Sequence, residues 1–201
     1  MYYLNKVLKL TLPLPVSVNH YLNHSISKGR GKKFIHTYKS REAIIFEKLA
    51  KSIIAEEVKK QGWVIPDETV YIRVEATWYI HKKGIDCSNL HKQALDILQG
   101  YVYHNDSMVL ESTSDYFIDS KNPHCELTIS ICEKEGVFKT KKDKKVFCEA
   151  NCHKCSNKKT SCSFFKRLLE NRIIPEIDLK TNTCSKIKTK KSKIKDADCV
   201  A

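Results

Sequence analysis

Apolar positions along the chain change period several times, and each change marks an element. From Val70 to Ile80 they alternate, with Val70, Ile72, Val74, Ala76, Trp78 and Ile80 on one side, which predicts a strand with one buried face. Between Ser40 and Lys60 the spacing turns helical: Ile44, Ile45, Lys48, Leu49, Ser52, Ile53 and Glu56 recur behind Ser40, the predicted N-cap, and Gly62 and Pro66 stop the run. A second helix is predicted from Ser88 to Gln99, ending at Gly100, with Leu90, Ala94, Ile97 and Leu98 as its buried face. Three weaker strands complete the set. Val7 to Leu14 is rich in Leu and is closed by Pro13 and Pro15. Met108 to Ile118 and Glu126 to Cys132 flank Asp119-Ser120-Lys121-Asn122-Pro123-His124, whose turn residues predict a hairpin. Asn19 to Lys33, with Asn, His, Ser, Gly and basic side chains, reads as a mobile loop.

The order β–α–β–α–β–β predicts an α/β (α+β) fold: a small mixed sheet, two main helices and a Cys-rich C-terminal extension. The folded domain is expected over 1–135, a charged linker over 136–147, a Cys-rich segment with a short helix over 148–176, and a basic tail, expected to be disordered, over 177–201. No internal repeat is present.

Composition narrows the class. With 41% hydrophobic and 9% aromatic residues in 201, the chain can build a core. No apolar run approaches the roughly 18 residues of a membrane span. The first residues lack a long apolar stretch and a small-residue cleavage site, so no signal peptide is read and a cytoplasmic protein is expected. The net charge of +13 is uneven. Up to Gly136 there are 18 Lys and Arg against 16 Asp and Glu, a net of +2; the remaining 18 against 7 give +11. Such a basic segment attracts polyanions by counterion release, which favours nucleic acid, and it equally suits a solvated tail.

The segment with the most chemistry is Gly84-Ile85-Asp86-Cys87-Ser88-Asn89-Leu90-His91-Lys92-Gln93-Ala94-Leu95-Asp96. Asp86 stands between a strand and a helix; Ser88, Lys92 and Asp96 share one helical face. Ten residues further lies Asp106, preceded by Asn105. Acids at element ends beside a lysine suit a hard, oxygen-seeking cation that activates water and offsets phosphate charge. The same residues also fit an ordinary structure: Asp86 leading into a helix capped by Ser88, Lys92 and Asp96 as a surface pair, Asp106 ending a turn.

This segment resembles the signature of the RusA family of Holliday-junction endonucleases, D-x-D-N-L-x-K-x-x-x-D-x-L followed by an acidic pair. Leu12-Pro13-Leu14-Pro15-Val16-Ser17-Val18-Asn19-His20-Tyr21 is similar to the same family's opening strand and its L-P-x-P-x-S-x-N-x-Y loop. The resemblance covers Val7 to Glu133. It implies a homodimeric, Mg²⁺-dependent nuclease (Mn²⁺ as a substitute) that nicks opposed strands of a four-way junction, in a family often borne by phages. It implies Asp86 and Asp106 as metal-binding catalytic acids, Lys92 as the catalytic lysine and Asp96 as a further acid. Ser88 stands where the family has its second aspartate and Asn105 where it has the first member of the later pair; both are expected as neutral ligands. That loss of carboxylates leaves a second expectation, a junction-binding protein with weakened or lost cleavage. DNA contacts are expected from Asn19, Lys28, Arg30, Lys32 and Lys33 of the loop and from Asn89.

Nine cysteines include Cys148-x₃-Cys152-His153-x-Cys155-x₆-Cys162. Thiols at such spacing in a cytosolic chain suggest metal before disulfide. A Zn²⁺ bound by Cys148, Cys152, Cys155 and Cys162, with His153 as the substitute, is expected; an iron–sulfur cluster also fits four cysteines, as do free thiols. Ser163 to Ile174 follows as a helical stretch with Phe164, Phe165, Leu168 and Leu169 on one side, closed by Pro175.

Overall fold

The structure is a computed structural model and describes residues 7–29, 32–157 and 159–188. The chain divides into two compact units, Met1–Cys132 and Glu133–Ala201.

The first unit is built on a four-stranded mixed sheet. Its strands are β1 (Val7–Pro13), β4 (Ile72–Ile80), β5 (Val109–Ile118) and β6 (His124–Ile131), in the order β1-β6-β4-β5. Alternation sets the buried face. Ile72, Val74, Ala76, Trp78 and Ile80 of β4, Leu8, Leu10 and Leu12 of β1, and Cys125, Leu127 and Ile129 of β6 are all buried. Helices α2 (Arg41–Lys60) and α3 (Ser88–Leu98) add their apolar sides to the same core.

Ser40 caps α2 as its chemistry predicts: its Oγ accepts the Ala43 N–H at 3.2 Å. The inward face of α2 differs from the expected one. Ala43, Phe46, Ala50 and Ile54 are buried, while Ile44, Ile45 and Leu49 are more than half exposed. The apolar residues of this helix span more than one face, and the ring of Phe46 turns the helix inward on its own side.

Two further expectations are corrected. Strands β5 and β6 do not form a hairpin. β5 runs parallel to β4 on one side, β6 runs antiparallel to β4 on the other, and β1 closes the sheet beyond β6. The turn is real, since Asp119 Oδ1 accepts the N–H groups of Lys121 and Asn122 at 3.0 Å. The partner choice follows burial instead. β5, with Glu111, Ser112, Thr113 and Asp115, suits an edge, whereas the apolar row of β6 needs neighbours on both sides. The segment 19–33 is not an irregular loop either. A short helix α1 (Val18–Tyr21) leads into an antiparallel ribbon of β2 (Leu22–Gly29) and β3 (Lys32–Lys39). Cross-strand side-chain bonds, His24 Nδ1 to Thr37 Oγ1 at 3.0 Å and Ser27 Oγ to His36 Nε2 at 2.7 Å, stitch a ribbon whose polar composition hides it.

His91 on α3 is buried, edge-on to Trp78 at 5.0 Å between ring centres, with Nε2 2.9 Å from Thr113 Oγ1. Burial lowers its pKa from the ordinary 6.5, partly opposed by Glu111. The unfolded chain therefore binds a proton that the fold refuses. Stability is whole above the ordinary histidine value and falls as pH drops below 6.5 toward the depressed folded value, by at most about 1.4 kcal/mol per pH unit for one proton. Urea unfolding at pH 7 and pH 5 checks this: His91→Gln should flatten the decline, and an equal decline in both proteins would remove His91 as its cause.

The second unit contains α4 (Lys141–Phe147), a π-helical turn Cys148–Cys152, α5 (Ser163–Leu169) and a small hairpin of β7 (Ile177–Asp178) and β8 (Thr183–Cys184). Its own core comprises Phe138, Phe147, Cys148, Phe165, Leu168, Ile174 and Ile177. Part of the expected linker is thus helical, started by a capping box between Thr140 and Asp143. Gly136 is required there: at φ 58° an added Cβ would sit 2.0 Å from the Leu168 carbonyl oxygen. Helix α5 stops at Leu169, before the expected Ile174, because Asn171 takes a left-handed φ of 61°. Part of the tail expected to be disordered is also ordered: Asp178 Oδ1 accepts the N–H groups of Lys180 and Thr181 and shapes the β7–β8 turn. Residues 189–201, with Cys199, lie outside the described residues.

Candidate active site

Asp86 sits on the corner between β4 and α3, two residues beyond Gly84, whose φ of 88° lets the chain turn. Ser88 is the first helical residue and not the cap; the cap position is Cys87, without a side-chain capping bond, and the Asp86 carboxylate just before it meets the start of the helix. Oδ1 accepts the Ser88 N–H at 2.9 Å and the Ser88 hydroxyl at 2.6 Å, and Oδ2 accepts from Asn89 Nδ2 at 3.2 Å. The Ser88 hydroxyl, and after it the Ser88 N–H, hold the Asp86 carboxyl below its ordinary value, so it is anionic at neutral pH.

Asp86 opens on a cleft of about 460 Å³. One wall comprises Leu14, Pro15, Val16, Ser17, Asn19 and His20, the other His81, Lys82, Gly84 and Ile85, and Asn89 and Leu90 complete the lining. Asn19 and Asn89 of the expected DNA contacts therefore meet here, together with His20, His81 and Lys82, which periodicity and motif had not singled out. The first wall is held by Gln93. This fully buried amide accepts the Val16 N–H at 2.6 Å and donates to the Ala43 carbonyl at 3.2 Å, tying the proline loop to α2. Its only sequence signal is a polar residue on the apolar side of α3.

The other expected acids do not line this cleft. Lys92 pairs with Asp96 at 3.3 Å. Asp96 Oδ2 also accepts from the Tyr21 hydroxyl at 3.4 Å; that hydroxyl lies 3.3 Å from Glu47, which is paired with Lys39. Asp106 begins a 3₁₀ turn (Asp106–Met108), and Asn105 is its N-cap, accepting the Ser107 N–H at 2.9 Å. Burial first, and then the charges of Asp106, Asp96 and Glu111, push the Tyr103 phenol far up. The Tyr103 hydroxyl donates to the Leu95 carbonyl at 2.7 Å.

The donor chemistry suits a hard divalent cation, because exposed carboxylates with hydroxyl and amide oxygens nearby are its preferred ligands. The arrangement does not yet close: among the described residues no three His, Cys, Asp or Glu side chains converge as ligands, and the Ser88 hydroxyl holds one oxygen of Asp86.

The remaining expected contacts lie at the ribbon tip. Lys28 and Lys33 are cross-strand partners and Lys32 is opposite Gly29; Arg30 lies outside the described residues. Like charges placed directly opposite repel unless an anion lies between them. In the second unit Cys152, Cys155 and Cys162 line one cavity; Cys148 is buried beside Cys152, in the core against which Cys152 and Cys162 pack, His153 contacts Lys159, and Cys184 joins the cavity lining.

The first unit thus presents an ionised acid on a strand-to-helix corner, facing a cleft, together with a basic ribbon. The family model for endodeoxyribonuclease RusA matches residues 13–130, well over half of the chain, and the chain belongs to that family. No curated protein matches it. Membership makes it a nuclease of the hydrolase class, from a family of divalent-metal-dependent enzymes that bind branched DNA. Among the described residues no helix is long and apolar enough to cross a membrane.

Proposed function

We propose that this chain is a Mg²⁺-dependent endonuclease that resolves four-way DNA junctions by paired nicking as a homodimer. The observation that carries this reading is the Asp86 carboxylate, held ionised and open to a cleft large enough for a phosphodiester segment. Asp86 and Asp106 would hold the cation, with Asp96 as a further acid and Ser88 and Asn105 as neutral donors. When bound, such an ion supplies an activated water and charge neutralisation at the phosphate. The chain's own groups do the rest. Asn19 and Asn89 offer amide donors to phosphate oxygens. Lys82 adds positive charge at the cleft. Lys92, now paired with Asp96, can turn to the developing charge once that acid is engaged.

Two copies match a two-fold junction, so a second copy is the occupant assigned to the exposed apolar residues of the first unit. Ile26 and Ile35, cross-strand partners in the ribbon, are 66% and 73% exposed, and Ile45 and Leu49 of α2 are exposed as well.

The test is a gel assay on a synthetic four-way junction, with and without Mg²⁺. Symmetric nicks that need the metal support the proposal. Tight binding without nicks at any Mg²⁺ or Mn²⁺ concentration would favour a junction-binding protein, a reading that rests on Ser88 taking one oxygen of Asp86.

The ribbon tip has its own test. Replacing Lys28, Lys32 and Lys33 together by Ala should weaken junction binding. The slope of log affinity against log salt should become shallower by up to about 0.9 for each phosphate that a lysine no longer neutralises. An unchanged slope would mean that the tip does not touch DNA.

A further inference from the structure

The second unit carries a set of thiols that the nuclease chemistry does not use. Cys152, Cys155, Cys162 and Cys184 line one cavity of about 30 Å³. Cys148 does not line that cavity; it lies behind it, 3% exposed in the apolar core and next to Cys152. We propose that Cys152, Cys155, Cys162 and Cys184 bind one Zn²⁺, and that this ion clamps the β7–β8 hairpin to the Cys148–Cys152 turn.

Four observations carry this. The first is spacing: Cys152-x₂-Cys155 is the pair separation with which one turn presents two sulfurs to a tetrahedral ion. The second is that the fourth thiol is brought in by a built support. Asn151 is buried; its Oδ1 accepts the Cys184 N–H at 3.0 Å, while its Nδ2 donates to the Phe147 carbonyl at 3.0 Å and the Asn182 carbonyl at 2.8 Å. One amide thus joins the residue beside Cys152 to the strand that carries Cys184. The third is that the Lys188 N–H donates to Cys155 Sγ at 3.4 Å, an outer bond that favours a thiolate ligand. The fourth is charge: Lys159 and Lys186 also line the cavity, where four thiolates around Zn²⁺ would leave an excess of two negative charges.

Thiolates at these spacings are a common ligand set for a single tetrahedral Zn²⁺. In this structure the thiols surround the cavity without converging, as no three ligating side chains come together among the described residues. Binding therefore draws the sulfurs inward and releases their protons to solvent. A unit with so small a core has a physical need for such a staple.

The test uses the full chain, purified under reductant without chelator. Elemental analysis should find about one zinc per chain, and Co²⁺ in its place should give the absorption of a tetrahedral four-thiolate site. Cys184→Ser should lose the ion, Cys184→His should regain it with three thiolates and an imidazole, and Cys148→Ala should keep it. Should the variants fail to fold, alkylation of the wild-type chain mapped by mass spectrometry serves alone: Cys184 should be protected with zinc and modified after chelation. Iron in place of zinc, no zinc even after incubation with excess Zn²⁺, full zinc in Cys184→Ser, or a Cys184 equally reactive with and without metal would each overturn the assignment.

Discussion

Asp86→Asn should abolish junction nicking, by about 10²-fold or more, while junction binding stays equal or tightens. Among the described residues this carboxylate both faces the cleft and is held ionised by its neighbours. Metal-ion catalysis supplies several kcal/mol of charge stabilisation, and each 1.4 kcal/mol is about a factor of ten in rate. The amide keeps the volume, and its carbonyl can still accept the Ser88 N–H, so the start of α3 survives. Removing a negative charge next to DNA lowers repulsion, which is why binding does not suffer. Single-turnover cleavage of a labelled junction measures the first effect and a gel shift in Ca²⁺ the second. Undiminished cleavage by the purified mutant would take Asp86 out of the active site.

Trp78→Ala should destabilise the first unit by about 3–5 kcal/mol, a large part of the 5–15 kcal/mol that holds an ordinary domain together. Trp78 is fully buried on the inward face of β4. Its Nε1 donates to Thr113 Oγ1 at 3.1 Å, and its ring abuts His91. Truncation leaves a void too enclosed to collapse, and it removes the ring against which α3 is seated. Since Asp86 leads directly into α3, the loss should also appear as nuclease activity that fails at a lower temperature. Trp78→Phe keeps most of the ring and should cost far less. Urea unfolding followed through Trp63 measures both; a cost under about 1.5 kcal/mol for the alanine variant would mean that the sheet and helix repack freely.

Several features were legible in the chain itself. The alternation in Val70 to Ile80 and the helical spacing of Leu90, Ala94, Ile97 and Leu98 predict elements that the structure contains, with the same buried faces. They were legible because burial of one face is a local property: each residue's fate follows from its phase in a period of two or 3.6. Ser40 as a cap belongs to the same kind, since a hydroxyl three residues from its donor needs nothing else. The resemblance of Gly84 to Asp96 to the RusA signature agrees with the family match.

Other features needed the fold. Ile44 and Leu49 share helical spacing with the core residues of α2, yet the ring of Phe46 turned the helix and left them in solvent. The hydroxyl of Ser88 could have capped α3, but Ser88 is its first helical residue, and the path of the chain through Gly84 brings the Asp86 carboxylate to the start of the helix. The turn at Asp119 was written locally, whereas the passage of β6 across to the far side of β4 depended on which strands had apolar rows to cover on both flanks. Cys184 met the cavity of Cys152 from more than thirty residues away, through Asn151. Local pattern was enough to mark which residues seek burial and which caps and turns can form, because those follow from periods and short reach. Strand partners, helix rotation and the fourth thiol emerged only in the folded chain, because each depends on the competition of distant segments for the same buried surface.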